Sequence, residues 1–382
     1  MPQKYLTNSA VVALCLTAAI AFTAACSDAA KVAARNGPAP KIQRALARLT
    51  ATEAPGAIVL VRDGNRTLRL TSGYGNLEKK TPIRANDRFR IGSVTKTFVA
   101  TVVLQLVGEG RLDLDDTIEH WLPGLVPNGK RITVRELLNH TSGLFEVAND
   151  QGFLARVLWK RTEVWSPREL VRIATAHKPL FKPGTNWSYS NTGYILLGLI
   201  AEAASGTPIG TELDRRIFRP LHLRNTSFAS SPNISGTYAH GYLPLDESQP
   251  RDATVFSQSS TWAAGAIVST ADDLATFYRS LLRGRLLRPH LLHAMETTVP
   301  VPADPHAGGS GLGLFETGLP CGRVWGHEGT AFGYKTSAYS SKDATRQVVV
   351  MVNDSPPSPV VANAFESLVD TAYCTALTRS RS

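Results

Sequence analysis

The residues that most restrict the fold are Phe98, Val99, Val102, Val103, Leu104, Leu106 and Val107. On a helix they are apolar nearly all round, so that helix is buried on every side and the rest of the chain must cover it. Gly108 and Gly110 end the run. Gly92-Ser93-Val94-Thr95-Lys96-Thr97 opens it, after an extended Phe89-Arg90-Ile91. Ser93 then stands at the start of a core helix with Lys96 one turn on, on the same face. A hydroxyl becomes a nucleophile when a neighbour takes its proton, and a desolvated lysine amine can do so. The plainer reading is that Ser93 caps the helix, and the four-residue pattern alone does not choose between the two.

The chain has 382 residues, 43% of them hydrophobic, enough for one large domain or two interleaved ones. Residues 1–26 read as an export signal: Lys4 precedes an apolar, small-residue stretch from Ala10 to Ala25, too short to span a bilayer. Thr23-Ala24-Ala25-Cys26 resembles a lipoprotein cleavage box, with Thr23 where an aliphatic residue is preferred. A secreted protein and one lipid-anchored to the membrane at the cell surface through Cys26 are both open. Residues 27–44 read as a tether. With Cys15 removed and Cys26 terminal, Cys321 and Cys374 remain. In an oxidising compartment two leftover cysteines most simply pair. The net charge is +10, but the arginines are scattered and no helix carries a basic stripe. This argues against a nucleic-acid partner and fits an anionic cell wall or membrane surface, or plain solubility.

Taken in order, Ala57–Val61 and Thr67–Thr71 flank Asp63-Gly64-Asn65 and read as a β-hairpin. Thr133-Val134-Arg135-Glu136 and Ser166-Pro167-Arg168-Glu169 read as capping boxes opening helices. Tyr189-Ser190-Asn191 precedes a second apolar helix from Tyr194 to Ala204. Asp272–Leu282 is helical with Thr270 as N-cap, and strands are expected at 265–268, 311–315, 323–325, 333–339 and 347–353. Residues 360–374 form a closing helix. The fold class is therefore α/β (α+β): an antiparallel sheet built from both chain ends and flanked by helices, plus a mostly helical inserted domain. Residues 45–110 and 231–382 form the sheet domain and 111–230 the helical one, with the active site between them.

Ser93-x-x-Lys96, Tyr189-x-Asn191 and His327-x-Gly329 occur in that order, the last within Trp325-Gly326-His327-Glu328-Gly329-Thr330. No Gly-x-Ser-x-Gly elbow, His-Glu-x-x-His or cysteine–histidine metal spacing competes, so neither metal nor cofactor is expected. The order resembles that of the penicillin-recognising serine hydrolases: class C β-lactamases, D,D-peptidases and related esterases. Asp87–Lys96, Leu104–Leu114, Arg131–Arg135, Ser142-Gly143-Leu144, Tyr189–Thr192 and Gly311–Leu314 are similar to D-alanyl-D-alanine carboxypeptidases of that family, which also carry a disulfide where Cys321 and Cys374 fall.

The resemblance implies an exported serine hydrolase working through an acyl-enzyme. Ser93 would attack, Lys96 keep Ser93 and Tyr189 in a useful protonation state, and Tyr189 shuttle the proton as phenolate or through Lys96. Asn191 would orient the substrate amide, and His327 would offer a polar or cationic partner. The N–H groups of Ser93 and Thr330 would form the oxyanion hole. His140, at the end of a capped helix, reads as structural.

Two departures bear on the substrate. The carboxypeptidases have Thr after the third-motif His and Arg after the Gly-Leu-Gly-Leu stretch, and both hold the substrate's free carboxylate. Here these positions are Glu328 and Phe315. Ala148 likewise stands in place of a substrate-contacting Thr. The main expectation is a D-alanyl-D-alanine carboxypeptidase-like enzyme acting on a peptidoglycan stem peptide or β-lactam. The alternatives are a hydrolase of esters or D-amino amides with the same machinery, in which Glu328 meets an amine, and a non-catalytic penicillin or peptidoglycan sensor.

Overall fold

The structure is a computed structural model and describes residues 38–375 and 377, apart from 230, 244–249 and 303–306. The expected export signal and Cys26 lie outside the described residues, as does most of the tether.

Eight antiparallel strands form the main sheet: β1 (Gly56–Asp63), β2 (Arg66–Asn76), β3 (Thr81–Pro82), β4 (Ala307–Ser310), β5 (Phe315–Leu319), β6 (Gly322–Ala331), β7 (Tyr334–Ser340) and β8 (Arg346–Val352). Their spatial order is β3-β2-β1-β8-β7-β6-β5-β4, so the two ends of the chain meet where β1 pairs with β8, Val59 opposite Val350. Both central strands are buried on two faces, which is why they read as unbroken apolar runs rather than alternating ones. Val59, Val61, Val348 and Val350 point one way, with Ile42, Leu46, Phe365 and Leu368 packed on them. Ile58, Leu60, Val349 and Met351 point the other way, into the larger core.

Two helices cover the first face: α1 (Pro38–Thr50) and α5 (Pro359–Cys374). Helix α1 corrects the expected tether over residues 38–44. Its Ile42, Ala45, Leu46 and Leu49 are buried at helical spacing, which ties the segment to the sheet. Against the other face lie α2 (Thr95–Gly108) and, with α3 (Asn191–Ser205) packed on α2, the helix α4 (Ala271–Leu282). As the apolar run requires, every residue of α2 from Thr95 to Leu104 is buried. Phe98 stacks on Phe277 of α4 with ring centroids 3.6 Å apart. Residues 111–226 add helices and loops and no strand of the main sheet.

Several local expectations shift. Thr133 and Glu136 make the full capping box, whereas Ser166 makes no side-chain cap and Pro167 alone marks that helix start. Helix α3 begins at Asn191 rather than Tyr194, because Ser190 caps it by accepting from the Gly193 N–H at 3.0 Å. Residues 311–314 form a turn, and Phe315 is the first residue of β5. Strand β6 runs through to Ala331, so His327, Glu328 and Thr330 lie on a strand rather than between strands. Cys321 and Cys374 are disulfide-bonded, joining the β5–β6 turn to the end of α5.

Candidate active site

The segment carrying Ser93 is pinned from behind. Phe89–Arg90 pairs with Ile267–Ser269, the Ile91 N–H donates to the Ile267 carbonyl at 3.0 Å, and the Ile267 N–H donates to Thr95 Oγ1 at 3.1 Å. Ser93 itself sits in a single 3-10 turn, Gly92–Val94, just ahead of α2. In front, β6 comes into backbone contact with that turn. A Cβ on Gly329 would lie 1.9 Å from the Ile91 carbonyl oxygen, and one on Gly92 would lie 2.4 Å from that of Thr330. Gly92 also has φ +49°. Both positions exclude a side chain, and their contact sets the Thr330 backbone beside the Ser93 turn.

Lys96 is fully buried, and its Nζ donates to Ser93 Oγ (3.1 Å), Asn191 Oδ1 (2.7 Å) and the Ala264 carbonyl (2.9 Å). Burial lowers its pKa to about 7, against the opposing pull of Glu146. Two of its three acceptors can only accept. The Ala264 oxygen is a carbonyl, and the Asn191 amide is locked because its Nδ2 donates to Glu146 at 2.7 Å. When Lys96 loses a proton, its two remaining N–H bonds go to these oxygens and the lone pair faces Ser93.

Tyr189 lies 4.7 Å from Lys96 Nζ, measured to its ring centre. Burial pushes its phenol well above the usual range, although a hydrogen bond with Ser93 opposes this. The phenolate expected as one option is therefore disfavoured, and Lys96 is the group of this pair that titrates near neutrality. His327 is 4% exposed. Its Nδ1 donates to the Glu328 carbonyl, and burial followed by the Lys96 charge lowers its pKa to about 3. The expected polar partner is thus neutral, not cationic.

Two residues that sequence reasoning did not place in the site belong to it. Glu146 is 8% exposed and accepts from the Asn191 N–H, from Asn191 Nδ2 and, at 3.1 Å, from the Ala148 N–H. It stands two residues past Leu144, just ahead of the 3-10 turn Val147–Asn149, with no motif to mark it. His140 was read as structural, but its ring lies against Tyr189, with centroids 4.6 Å apart. Its Nδ1 accepts from the Ser190 N–H at 3.1 Å, so the proton is on Nε2. Burial, then Lys96 and His327, holds its pKa well below the usual range.

Ser93, Tyr189, Asn191, His327, Thr330, Phe315 and Glu328 all line one cleft of about 1230 Å³, with Lys96 beneath it. Phe315 meets His327 edge-on, ring centroids 5.0 Å apart. Glu328 accepts from Ser337 Oγ and Tyr339 Oη, both at 3.0 Å, and pairs with Lys335 at 3.2 Å. Lys335 is shared with Glu366, also at 3.2 Å. Burial alone would lower the Lys335 pKa, but the two carboxylates outweigh it and the pKa is raised. Arg323, on the same wall, pairs with Glu316 at 3.4 Å. Lys335 and Arg323 are therefore both engaged by carboxylates. Among the described residues no group of three or more His, Cys, Asp or Glu is placed to hold a metal ion.

The chain is similar to known proteins over most of its length. The D-stereospecific amidohydrolase of a Streptomyces species superposes with a TM-score of 0.79 at 39% identity, covering 85% of this chain and 98% of that one. The D-amino acid amidase of Ochrobactrum anthropi SV3, complexed with D-phenylalanine, superposes with a TM-score of 0.77 at 27% identity, covering 88% and 97%. The D-aminopeptidase of Brucella anthropi is 30% identical over 318 residues, which is 79% of this chain and 56% of that protein. The chain spans about half the length of the curated relatives it matches. The family described as Beta-lactamase matches residues 42–372, nearly all of the described chain; the protein belongs to this Beta-lactamase family of serine hydrolases.

Proposed function

We propose that the protein hydrolyses amides of D-amino acids through an acyl-enzyme on Ser93. The observation that carries this reading is Glu328 on the cleft wall, in a group where one lysine serves two carboxylates. That group has an excess of one negative charge. Two unit charges 4 Å apart interact by about 4 kcal/mol at an effective dielectric near 20. The sign favours a substrate bearing a free ammonium and opposes one bearing a free carboxylate. Support over the carboxypeptidase reading also comes from the relatives, an amidohydrolase, an amidase and an aminopeptidase of D-configured substrates.

In this mechanism neutral Lys96 takes the Ser93 proton while Oγ attacks the amide carbon, and Tyr189 relays between the two side chains. The developing oxyanion is held by the N–H groups of Ser93 and Thr330; one such donor typically contributes about 3 kcal/mol to the transition state. Collapse breaks the C–N bond, and the proton held by Lys96 passes to the leaving nitrogen. Water then attacks the ester by the reverse relay and releases the D-amino acid. Residues 1–26 serve as an export signal in this proposal, in keeping with a disulfide, which persists outside the cytosol. The mass of the mature N-terminus from cell fractions tests that part.

The catalytic part is tested with D-phenylalanine amide, L-phenylalanine amide, D-phenylalanine methyl ester and diacetyl-lysyl-D-alanyl-D-alanine, each with wild type and Ser93→Ala. The D-amide is expected to be cleaved fastest of the two amides, and faster than the peptide. Faster release of D-alanine from the peptide than of ammonia from the D-amide would overturn the proposal.

A further inference from the structure

Away from the cleft, the helix Gln151–Trp159 has two apolar faces. Phe153 and Val157 are buried. On the outer side Ala155, Leu158 and Trp159 follow i, i+3, i+4 spacing and are exposed, Trp159 to 87%. Val164, just beyond, is 76% exposed. Trp159 shares a surface hollow of about 500 Å³ with Lys160, Arg161 and Arg251. The neighbouring acids are already engaged, Glu163 with Arg156 and Asp252 with His240. Burial and then the Arg251 charge lower the Arg161 pKa against the pull of Asp252, so the two arginines repel each other.

We infer that this end of the helix is a membrane-contact face for anionic lipid: Leu158, Trp159 and Val164 enter the headgroup layer while Lys160, Arg161 and Arg251 meet lipid phosphates. Tryptophan settles at such boundaries because its ring is apolar and its N–H polar, and basic side chains extend to the charged layer. The net charge of +10 adds long-range attraction. A second copy fits less well, because a two-fold contact places the same patch against itself and sets these cations face to face. A folded protein partner fits less well too, because a stable interface takes about 20 to 30 residues a side and this patch offers far fewer.

The test is co-sedimentation of the full chain, carrying Cys26→Ser so that no lipid is attached there, with vesicles of phosphatidylcholine alone or mixed equally with phosphatidylglycerol. Binding is expected to the mixed vesicles, to weaken with salt, and to fall about tenfold or more in Trp159→Ser and in Arg161→Gln/Arg251→Gln, while turnover of a soluble substrate stays unchanged. Equal binding to both vesicle types, or undiminished binding by both variants, would overturn the inference. So would a concentration-dependent dimer that these substitutions dissolve, since that assigns the patch to a second copy.

Discussion

The floor and the wall of the cleft are built on opposite principles. The floor, Ser93 with Lys96, Tyr189, Asn191 and Glu146, holds its one cation fully buried and fixes each donor and acceptor by exclusion. The wall, Glu328 with Lys335 and Glu366, holds several charges close together and half open, and Glu328 keeps 37% of its side chain exposed. In a dry site a misplaced charge is costly, so the floor admits one arrangement. In a wetter site charges are screened and exchangeable. The difference assigns bond breaking to the floor and substrate choice to the wall.

The largest effect that would break this division lies at Ser93. Ser93→Ala is expected to lower kcat by at least about four orders of magnitude with the fold intact by circular dichroism; a loss under tenfold would remove the nucleophile from the floor. Next comes the disulfide, whose partners are separated by 53 residues. Replacing both cysteines with serine is expected to cost about 4 kcal/mol in denaturant unfolding. Because the bridge braces the wall, KM should rise more than kcat falls; the opposite split would mean that the wall and floor are not mechanically separate.

A Phe315→Arg/Glu328→Thr double variant sharpens the comparison. The ratio of D-amide to carboxylate-bearing peptide turnover is expected to fall roughly hundredfold, with acylation of Ser93 by a fluorophosphonate unchanged. The smallest effect is at Glu146. With Lys96 near 7 and its neutral form acting as base, kcat/KM should rise with pH through that value. Glu146 favours the charged form of Lys96, so Glu146→Gln is expected to move this limb to lower pH. A drop in rate with no movement of the limb would limit Glu146 to holding Asn191 in place.

How much was legible in the sequence follows the same line. Ser93-x-x-Lys96 is a contact within one helical turn, so spacing alone brings hydroxyl and amine together. Glu146 reaches Asn191 across 45 positions, and the Ala264 carbonyl reaches Lys96 across 168. A backbone oxygen has no residue type to recognise, and a lone glutamate in a loop carries no period. The neutral state of His327 was hidden for another reason: the residue type gives its identity, but burial by the surrounding fold sets its charge. Helix α1 was in principle readable, since Ile42, Ala45, Leu46 and Leu49 keep helical spacing. The disordered-looking composition before it drew the tether boundary too far along. Thr133 and Ser166 begin the same capping pattern, yet only Thr133 completes it, because Pro at the first helical position already fixes the turn at Ser166.

The backbone contacts of Gly92 with Thr330 and of Gly329 with Ile91 have a consequence for anyone redesigning this enzyme. Two distant parts of the chain are held in register by the absence of atoms, at sites where a single methyl group would collide with main chain. A mutational library gains nothing there, since every alternative residue pushes the nucleophile and the strand apart. The productive diversity lies at Phe315 and Glu328, whose side chains line the cleft and touch other side chains rather than main chain, so the same scissors can be fitted with different handles.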